Sequence, residues 1–269
     1  MMIQQSAILF VAGQMLAVSI GMSQQTATNS NSHAARISTL SQQLRWQRKE
    51  EMSQYNAVRD SATQDLLKEI DGYIADSFSS GSTADQVKAG LDSVLGRKDG
   101  DDMYNIVFST ELPTGHFLVV GIELWRGGPA ISENAISFRA YQASAGKFIP
   151  IASTANLADS ALGDLNAKII PEGSVLGQFW FVAWADVPPL DPYKVAVRLY
   201  GFDGTNFHIM WAPENIIADN IPNAVDVTNG GSVIVNRMPD WKSQIIEHDQ
   251  YSVTAQGVQK TAEWATQRQ

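Results

Sequence analysis

The fold class follows from residues 178–185, which read QFWFVAWA. Successive side chains of a β-strand point to opposite faces, so this run places its two tryptophans on one face and its two phenylalanines on the other. A strand that is apolar on both faces is typical of the centre of a sheet that is covered on both sides. The run therefore predicts a β domain with a central, doubly buried strand.

Similar runs flank this stretch along the C-terminal part of the chain. They are rich in Val, Ile, Phe, Trp and Tyr and are bounded by Gly, Pro, Asn or Asp, which is the composition of strands. They span residues 116–125, 136–142, 195–202 and 232–237. We therefore expect a mainly antiparallel all-β domain over residues 101–264.

Three hairpins are predicted by turn residues between pairs of runs. The turns are Ala145-Gly146, Asp203-Gly204 and Gln256-Gly257, and glycine supplies the positive φ that tight hairpins need. Their spacing is loosely that of propeller blades, but about 160 residues would hold barely four blades. A β-sandwich or a meandering, partly closed barrel is therefore preferred, with a small propeller-like arrangement as the alternative.

Helices are predicted over residues 34–98. Apolar residues recur there in steps of three and four, the period of an amphipathic helix, and a charged stretch at residues 45–51 interrupts the pattern. A second helix is expected to begin at Ser82 as N-cap and to end near Gly96. We expect these helices to pack on the β domain; a partner-binding arm is the alternative. The fold class is therefore α+β.

The N-terminus predicts export. No charged side chain precedes Arg36, and residues 7–22 form a short, interrupted apolar run, as in a secretory signal peptide. Residues 1–23 are therefore interpreted as a signal peptide or membrane anchor, and residues 24–33 as a disordered linker. The protein is expected in the periplasm or outside the cell, with membrane contact only through the N-terminal segment if that segment is not cleaved.

Composition excludes several function classes. The formal charge of −9, without a concentrated basic stretch, argues against nucleic-acid binding. The absence of cysteine excludes disulfides, thiolate catalysis and cysteine-ligated metals. No phosphate-binding or dinucleotide-binding glycine motif is present, and no cofactor is expected.

Histidines and acids show no catalytic or metal-binding spacing. His33, His116, His208 and His248 are not paired as zinc motifs require, so no metal site is expected. Residues 247–249 read Glu-His-Asp, but neighbours on a strand point to opposite faces and cannot share one metal. The acids nearest the aromatic strands have no distinctive spacing. These are Glu123, Asp186 and Asp191.

Trp180 and Trp184 are the candidate ligand-binding residues. Should their face of the strand be open, the two rings would form a flat stacking platform suited to sugar rings. Should it be covered, they are core residues, which is the commoner fate of strand aromatics.

The sequence-based hypothesis is an exported, non-catalytic module that binds a ligand, glycan or protein partner through its β domain. Enzymatic activity stays open, with a carboxylate-dependent hydrolase as one alternative, because carboxylate pairs meet only in three dimensions. The other alternative is an envelope structural or assembly protein that oligomerises through the N-terminal helices.

Overall fold

The computed structural model describes most of the chain between residues 29 and 268. The described ranges are 29–44, 52–95, 104–125, 134–154, 163–171, 173, 177–187, 194–218, 221 and 223–268. Within them the protein is an α+β fold with a largely β domain. The predicted signal segment 1–23, the charged stretch 45–51, Gly96 and Asp191 lie outside the described residues.

The described helices are α1 (residues 29–44), α2 (Met52–Ser77) and α3 (Ala84–Leu95). Helix α1 includes residues 29–33, so the C-terminal part of the predicted linker is helical instead of disordered. The reason is tertiary: the ring of His33 lies against Gly72 of α2, and its Nδ1 is 2.7 Å from Glu69 Oε2. None of these helices is both long and apolar enough to cross a membrane.

The N-cap of α3 is Thr83, one residue after the predicted Ser82. The Gln86 backbone N–H donates to Thr83 Oγ1 at 3.3 Å, and the Thr83 N–H donates to Gln86 Oε1 at 2.9 Å. This reciprocal pair is a capping box, which satisfies two backbone donors at once. Helix α3 then buries Val87 and Leu91, as the periodicity predicts.

The strands form three antiparallel sheets, and each sheet follows chain order. Sheet 1 contains β1 (Tyr104–Leu112), β2 (Gly115–Trp125), β3 (Asn134–Ser144) and β4 (Lys147–Ser153). Sheet 2 contains β5 (Gly163–Ile170), β6 (Phe179–Val187), β7 (Lys194–Phe202) and β8 (Phe207–Trp211), and β9 (Ile216–Ile217) also pairs with β7. Sheet 3 contains β10 (Val225–Val227), β11 (Val233–Arg237), β12 (Ile245–Thr254) and β13 (Gly257–Gln267).

All three predicted hairpins are confirmed. They join β3 to β4, β7 to β8 and β12 to β13 at the expected turns. Gly146, Gly204 and Gly257 have φ values of 80°, 93° and 128°. These values lie in the region that glycine enters without the steric cost a Cβ imposes.

The helices and sheets stack as successive layers. One apolar cluster joins the helices to sheet 1, a second joins sheet 1 to sheet 2, and a third joins sheet 2 to sheet 3. Strand β6 contributes Phe179 and Phe181 to the second cluster and Trp180 and Val182 to the third. Its two-sided burial is therefore confirmed, as is the packing of the helices on the β domain.

A largely buried ion pair connects α2 to sheet 1. Arg139 of β3 donates to both carboxylate oxygens of Asp71, and its Nε lies 2.7 Å from Oδ1. The Tyr141 hydroxyl donates to the same Oδ1 at 2.7 Å. Burial followed by the nearby Asp71 charge raises the pKa of Tyr141 well above its usual value, so the phenol stays protonated and keeps donating.

Candidate functional site

Trp180 lies in the core. Its side chain is 1% exposed within the cluster between sheets 2 and 3, and its Nε1 donates to Gln178 Oε1 at 2.8 Å. Sheet 3 covers the face of β6 that a stacking platform would need. The predicted open platform of two tryptophans is therefore absent from this face.

Trp184 is half-buried at the margin of the same cluster. The Lys168 ammonium lies 5.8 Å from the centre of its ring, and it is also 2.9 Å from Asp226 Oδ1. This cation takes up part of the ring face that a sugar would use. Ligand binding by Trp184 stays a prediction, and it now concerns the Trp184 ring alone instead of the Trp180–Trp184 pair.

Two of the acids singled out in the sequence, Glu123 and Asp186, lie among the described residues, and strand alternation places them at different interfaces. Glu123 is fully buried on the face of β2 towards sheet 2, and its Oε2 accepts the backbone N–H of Leu165 at 2.8 Å, which ties β2 to β5. Asp186 lies on β6 and pairs in register with Val195, a member of the third cluster. Glu123 is therefore a structural acceptor between two sheets.

The predicted alternation of residues 247–249 is confirmed. Glu247 and Asp249 both pair with Arg237 on the face of β12 that is turned towards sheet 2. His248 points the other way, where its Nδ1 lies 2.7 Å from Asn236 Oδ1. These three residues therefore do not form one site.

A cleft between sheets 2 and 3 brings together side chains that the sequence analysis did not select. Its cavity volume is about 310 Å³. One wall is the end of β8 with the segment up to β9, and the other wall is formed by β11 and β12. We call it the inter-sheet cleft. Its size is at the lower end for small-ligand sites.

Two aromatic rings form the apolar part of the inter-sheet cleft. The ring centres of Trp211 and Tyr251 are 4.6 Å apart, and the ring planes are tilted by 47°. Both side chains are half-buried, so each ring packs on the core with one part and faces the cleft with another. Such rings offer apolar area at little cost in conformational entropy, because only two torsions have to be fixed.

A network of ion pairs forms the polar part of the cleft. Asp249 is 6% exposed, and its two oxygens lie 3.1 Å from Arg237 Nε and 2.8 Å from Lys260 Nζ. Arg237 also contacts Glu247 at 2.7 Å, and Lys260 contacts Glu263. The guanidinium is therefore fixed in place by two carboxylates before any ligand binds.

The ionisation states follow from these contacts. Burial alone would raise the pKa of Asp249, but the hydrogen bonds from Lys260 and Arg237 outweigh burial and lower it. Burial, and next the charge of Asp249, raise the pKa of Tyr251. At neutral pH the cleft therefore presents an ionised Asp249 and a protonated phenol.

The charges on the cleft wall are unbalanced towards the negative. Among the described residues that line it, Glu214 and Asp249 are acidic and Arg237 is basic. Since Arg237 is already paired with two acids, it has little positive potential left for an anion. This lining therefore disfavours an anionic group in the cleft.

Sequence reasoning missed this site for an identifiable reason. Trp211 and Tyr251 lie on different sheets, and no periodicity within one strand reports that two strands face each other. The available signal was Arg237 two residues after Val235 on β11, a charge on an otherwise apolar strand face. An inward-facing charge of this kind needs a partner, which directs attention to the acids on β12.

Comparison of the chain with protein-family models, with curated proteins and with solved structures finds no match. The class that can be stated is therefore an α+β protein with three antiparallel sheets and a helical layer. Function has to be argued from the inter-sheet cleft itself.

Proposed function

We propose that this protein is a non-catalytic binding module and that a neutral glycan occupies the inter-sheet cleft. The observation that carries the proposal is the Trp211–Tyr251 ring pair beside an arginine that is held in place by carboxylates. Sugar rings have apolar C–H faces and polar rims, and this cleft offers an aromatic surface next to fixed hydrogen-bonding groups.

The charge of the cleft supports a neutral ligand. Anionic sugars would meet Glu214 beside an Arg237–Asp249 pair whose charges compensate one another, so they are disfavoured. Hydroxyl groups accept from a guanidinium or phenol and donate to a carboxylate without bringing in a charge. A neutral oligosaccharide therefore suits the lining better than a phosphorylated or acidic one.

The state of Asp249 supports binding over hydrolysis. A carboxylate-dependent hydrolase needs an acid whose pKa is raised so that it can deliver a proton near neutral pH. The pKa of Asp249 moves the other way, and both of its oxygens are engaged by cations. Asp249 therefore serves to position Arg237 and Lys260.

The helical layer supports a β-domain function over assembly through the helices. The apolar faces of α2 and α3 pack on sheet 1, which occupies the surface that helix-mediated oligomerisation would use. Export through residues 1–23 remains part of the proposal on the sequence pattern alone. Three stacked meanders, with β5 in contact with both β1 and β10, support a propeller-like arrangement of the β domain over a two-sheet sandwich.

The test is a thermal-shift screen of the protein against neutral and acidic oligosaccharides, because a ligand of the native state raises the melting temperature. We expect a neutral oligosaccharide to raise it and the Trp211→Ala variant to lose the effect. Trp264→Ala is the matched control, since Trp264 is exposed on the opposite face of sheet 3.

Two results would contradict the proposal. One is a shift that Trp211→Ala retains while Trp264→Ala abolishes it. The other is a screen in which only acidic oligosaccharides bind. Each variant is first checked for cooperative unfolding, so that loss of binding is not confused with loss of the fold.

A further inference from the structure

The face of sheet 3 that points away from sheet 2 is a further surface of the described residues to which no role is yet assigned. Strand register defines it, because residues paired directly across antiparallel strands lie on the same face. Asn236, His248 and Trp264 form one row across β11, β12 and β13. Neighbouring rows place Ile234 beside Gln250 and Ile246 beside Thr266. We call this surface the outer face.

Hydrogen bonds order the centre of the outer face. Asn236 Nδ2 donates to the Asn223 carbonyl, so its Oδ1 accepts from His248 Nδ1 at 2.7 Å. In the neutral imidazole, Nε2 is then the acceptor, and the Thr266 hydroxyl donates to it at 2.8 Å. The imidazole stacks on Trp264 with 5.0 Å between ring centres and 14° between planes. The indole is therefore held in one orientation although it is 42% exposed.

Charge is segregated between the two faces of these strands. The face towards sheet 2 carries the ion-pair network of Arg237, Asp249 and Lys260, with Glu247 and Glu263 at its margin. By register, β11, β12 and β13 place no Asp, Glu, Lys or Arg on the outer face. The outer face is therefore built from uncharged polar side chains and a few apolar ones, whereas solvent-facing sheet surfaces commonly also carry charged residues. An uncharged surface costs less to desolvate against another protein surface than a charged one.

We propose that the outer face of sheet 3 is the contact between two copies of this chain, which stack sheet 3 on sheet 3 around a two-fold axis. Sheets 1 and 2 each bury both faces against a further layer, whereas Ile234, Ile246 and Trp264 belong to none of the three apolar clusters. A second copy supplies the missing layer by the same face-to-face packing that joins sheets 2 and 3.

The lack of charge on the outer face makes it suitable for contact with a second copy. Each chain carries a formal charge of −9, so two copies repel one another over most of their surface. An isologous interface brings the same patch of both copies together. The electrostatic repulsion is therefore smallest where that patch carries no charge. Asp226, the acid at the edge of this face, is neutralised by Lys168 at 2.9 Å.

The area of the outer face sets the strength of the dimer. Its strands have 3, 5, 10 and 11 residues. At about 3.3 Å per residue and about 4.8 Å between strands, the face covers roughly 460 Å² per copy. The total of roughly 900 Å² lies below the about 1,200–2,000 Å² of stable specific interfaces, which corresponds to a weak, reversible dimer.

The test is sedimentation velocity of the full chain over a series of micromolar concentrations, with Ile246→Lys on the outer face and Ile149→Lys as matched control. Ile149 is an exposed isoleucine of β4 in sheet 1, on the opposite side of the stack. We expect reversible dimerisation of the wild type, a dissociation constant raised at least about tenfold by Ile246→Lys, and no change from Ile149→Lys.

A second variant keeps the test valid if Ile246→Lys fails to fold. Gln250→Lys replaces a polar side chain on the same face and is expected to weaken the dimer in the same way. A wild type that sediments as a monomer throughout would overturn the proposal, as would outer-face variants that dimerise like Ile149→Lys. The Trp211→Ala variant should dimerise normally, so that failure of glycan binding and failure of dimerisation are separable.

Discussion

The ion pair between Asp71 and Arg139 should carry a large share of the coupling between the helices and sheet 1. Both side chains are 16% exposed, and the guanidinium donates to both oxygens of the carboxylate. Asp71→Asn removes the negative charge while keeping one oxygen for the Tyr141 hydroxyl. The variant therefore removes the ion pair and also replaces one of the two Arg139 hydrogen bonds by a contact between two N–H donors.

The size of the effect follows from the environment of the guanidinium. Removing one partner of a buried pair costs about 3–5 kcal/mol, because the other charge stays buried and uncompensated. Since both side chains retain some exposure, we expect the low end, about 3 kcal/mol. In urea this corresponds to a midpoint lower by about 1 M or more.

The assay is urea unfolding followed by far-ultraviolet circular dichroism, with Asp76→Asn as matched control on the same helix. Asp76 pairs with Lys147 at 3.0 Å, but the lysine is 53% exposed, so that pair is expected to contribute about 1 kcal/mol or less. The double variant Asp71→Asn with Arg139→Met should recover part of the loss, because it also removes the uncompensated charge. Equal effects of Asp71→Asn and Asp76→Asn, or a double variant less stable than Asp71→Asn, would show that the Asp71–Arg139 pair does not have this stabilising role.

Three further outcomes are expected. Asp249→Asn should reduce the loss of unfolding free energy that the wild type shows as the pH falls. The folded-state pKa of Asp249 is lowered, so its stabilising contribution is complete above its unfolded pKa of about 4 and is lost as the pH falls through the folded-state pKa. Urea unfolding of both proteins across about pH 2–7 would show the difference. Gly121→Ala should lower the free energy of unfolding by about 1–3 kcal/mol, because the new Cβ would meet Phe138 Cε1 at 2.6 Å; an unchanged urea midpoint would contradict this. Thr83→Ala should cost about 1 kcal/mol through loss of its cap contact with Gln86, whereas Ser82→Ala should cost less in the same assay.

The sequence predicted local features well because each follows from one strand or one turn. The two apolar faces of β6 follow from strand alternation alone, and the turn at Asp203-Gly204 follows from residue types that tolerate the required φ. The opposite directions of Glu247 and His248 were predictable for the same reason. The predicted N-cap of α3 was wrong by one position, because the neighbouring Ser82 and Thr83 both carry a hydroxyl group that can cap a helix.

The candidate site could not be predicted because it depends on which faces meet. Nothing in the order of residues 207–211 and 245–254 reports that Trp211 packs beside Tyr251. The same limit applies to Trp180, for which the sequence allowed both an open and a covered face until the position of sheet 3 was known. Both outcomes depend on how sheets 2 and 3 stack, and the position of one sheet on another cannot be read from a local pattern of residues.

Binding of a neutral glycan in the inter-sheet cleft can be located by amide chemical-shift mapping during titration with the oligosaccharide that gives the largest thermal shift. We expect the perturbed amides to cluster at residues 211–217, 235–239 and 249–251, the walls of the cleft. Perturbations centred on His248 and Trp264, or spread over the helices without a cluster at the cleft, would contradict it.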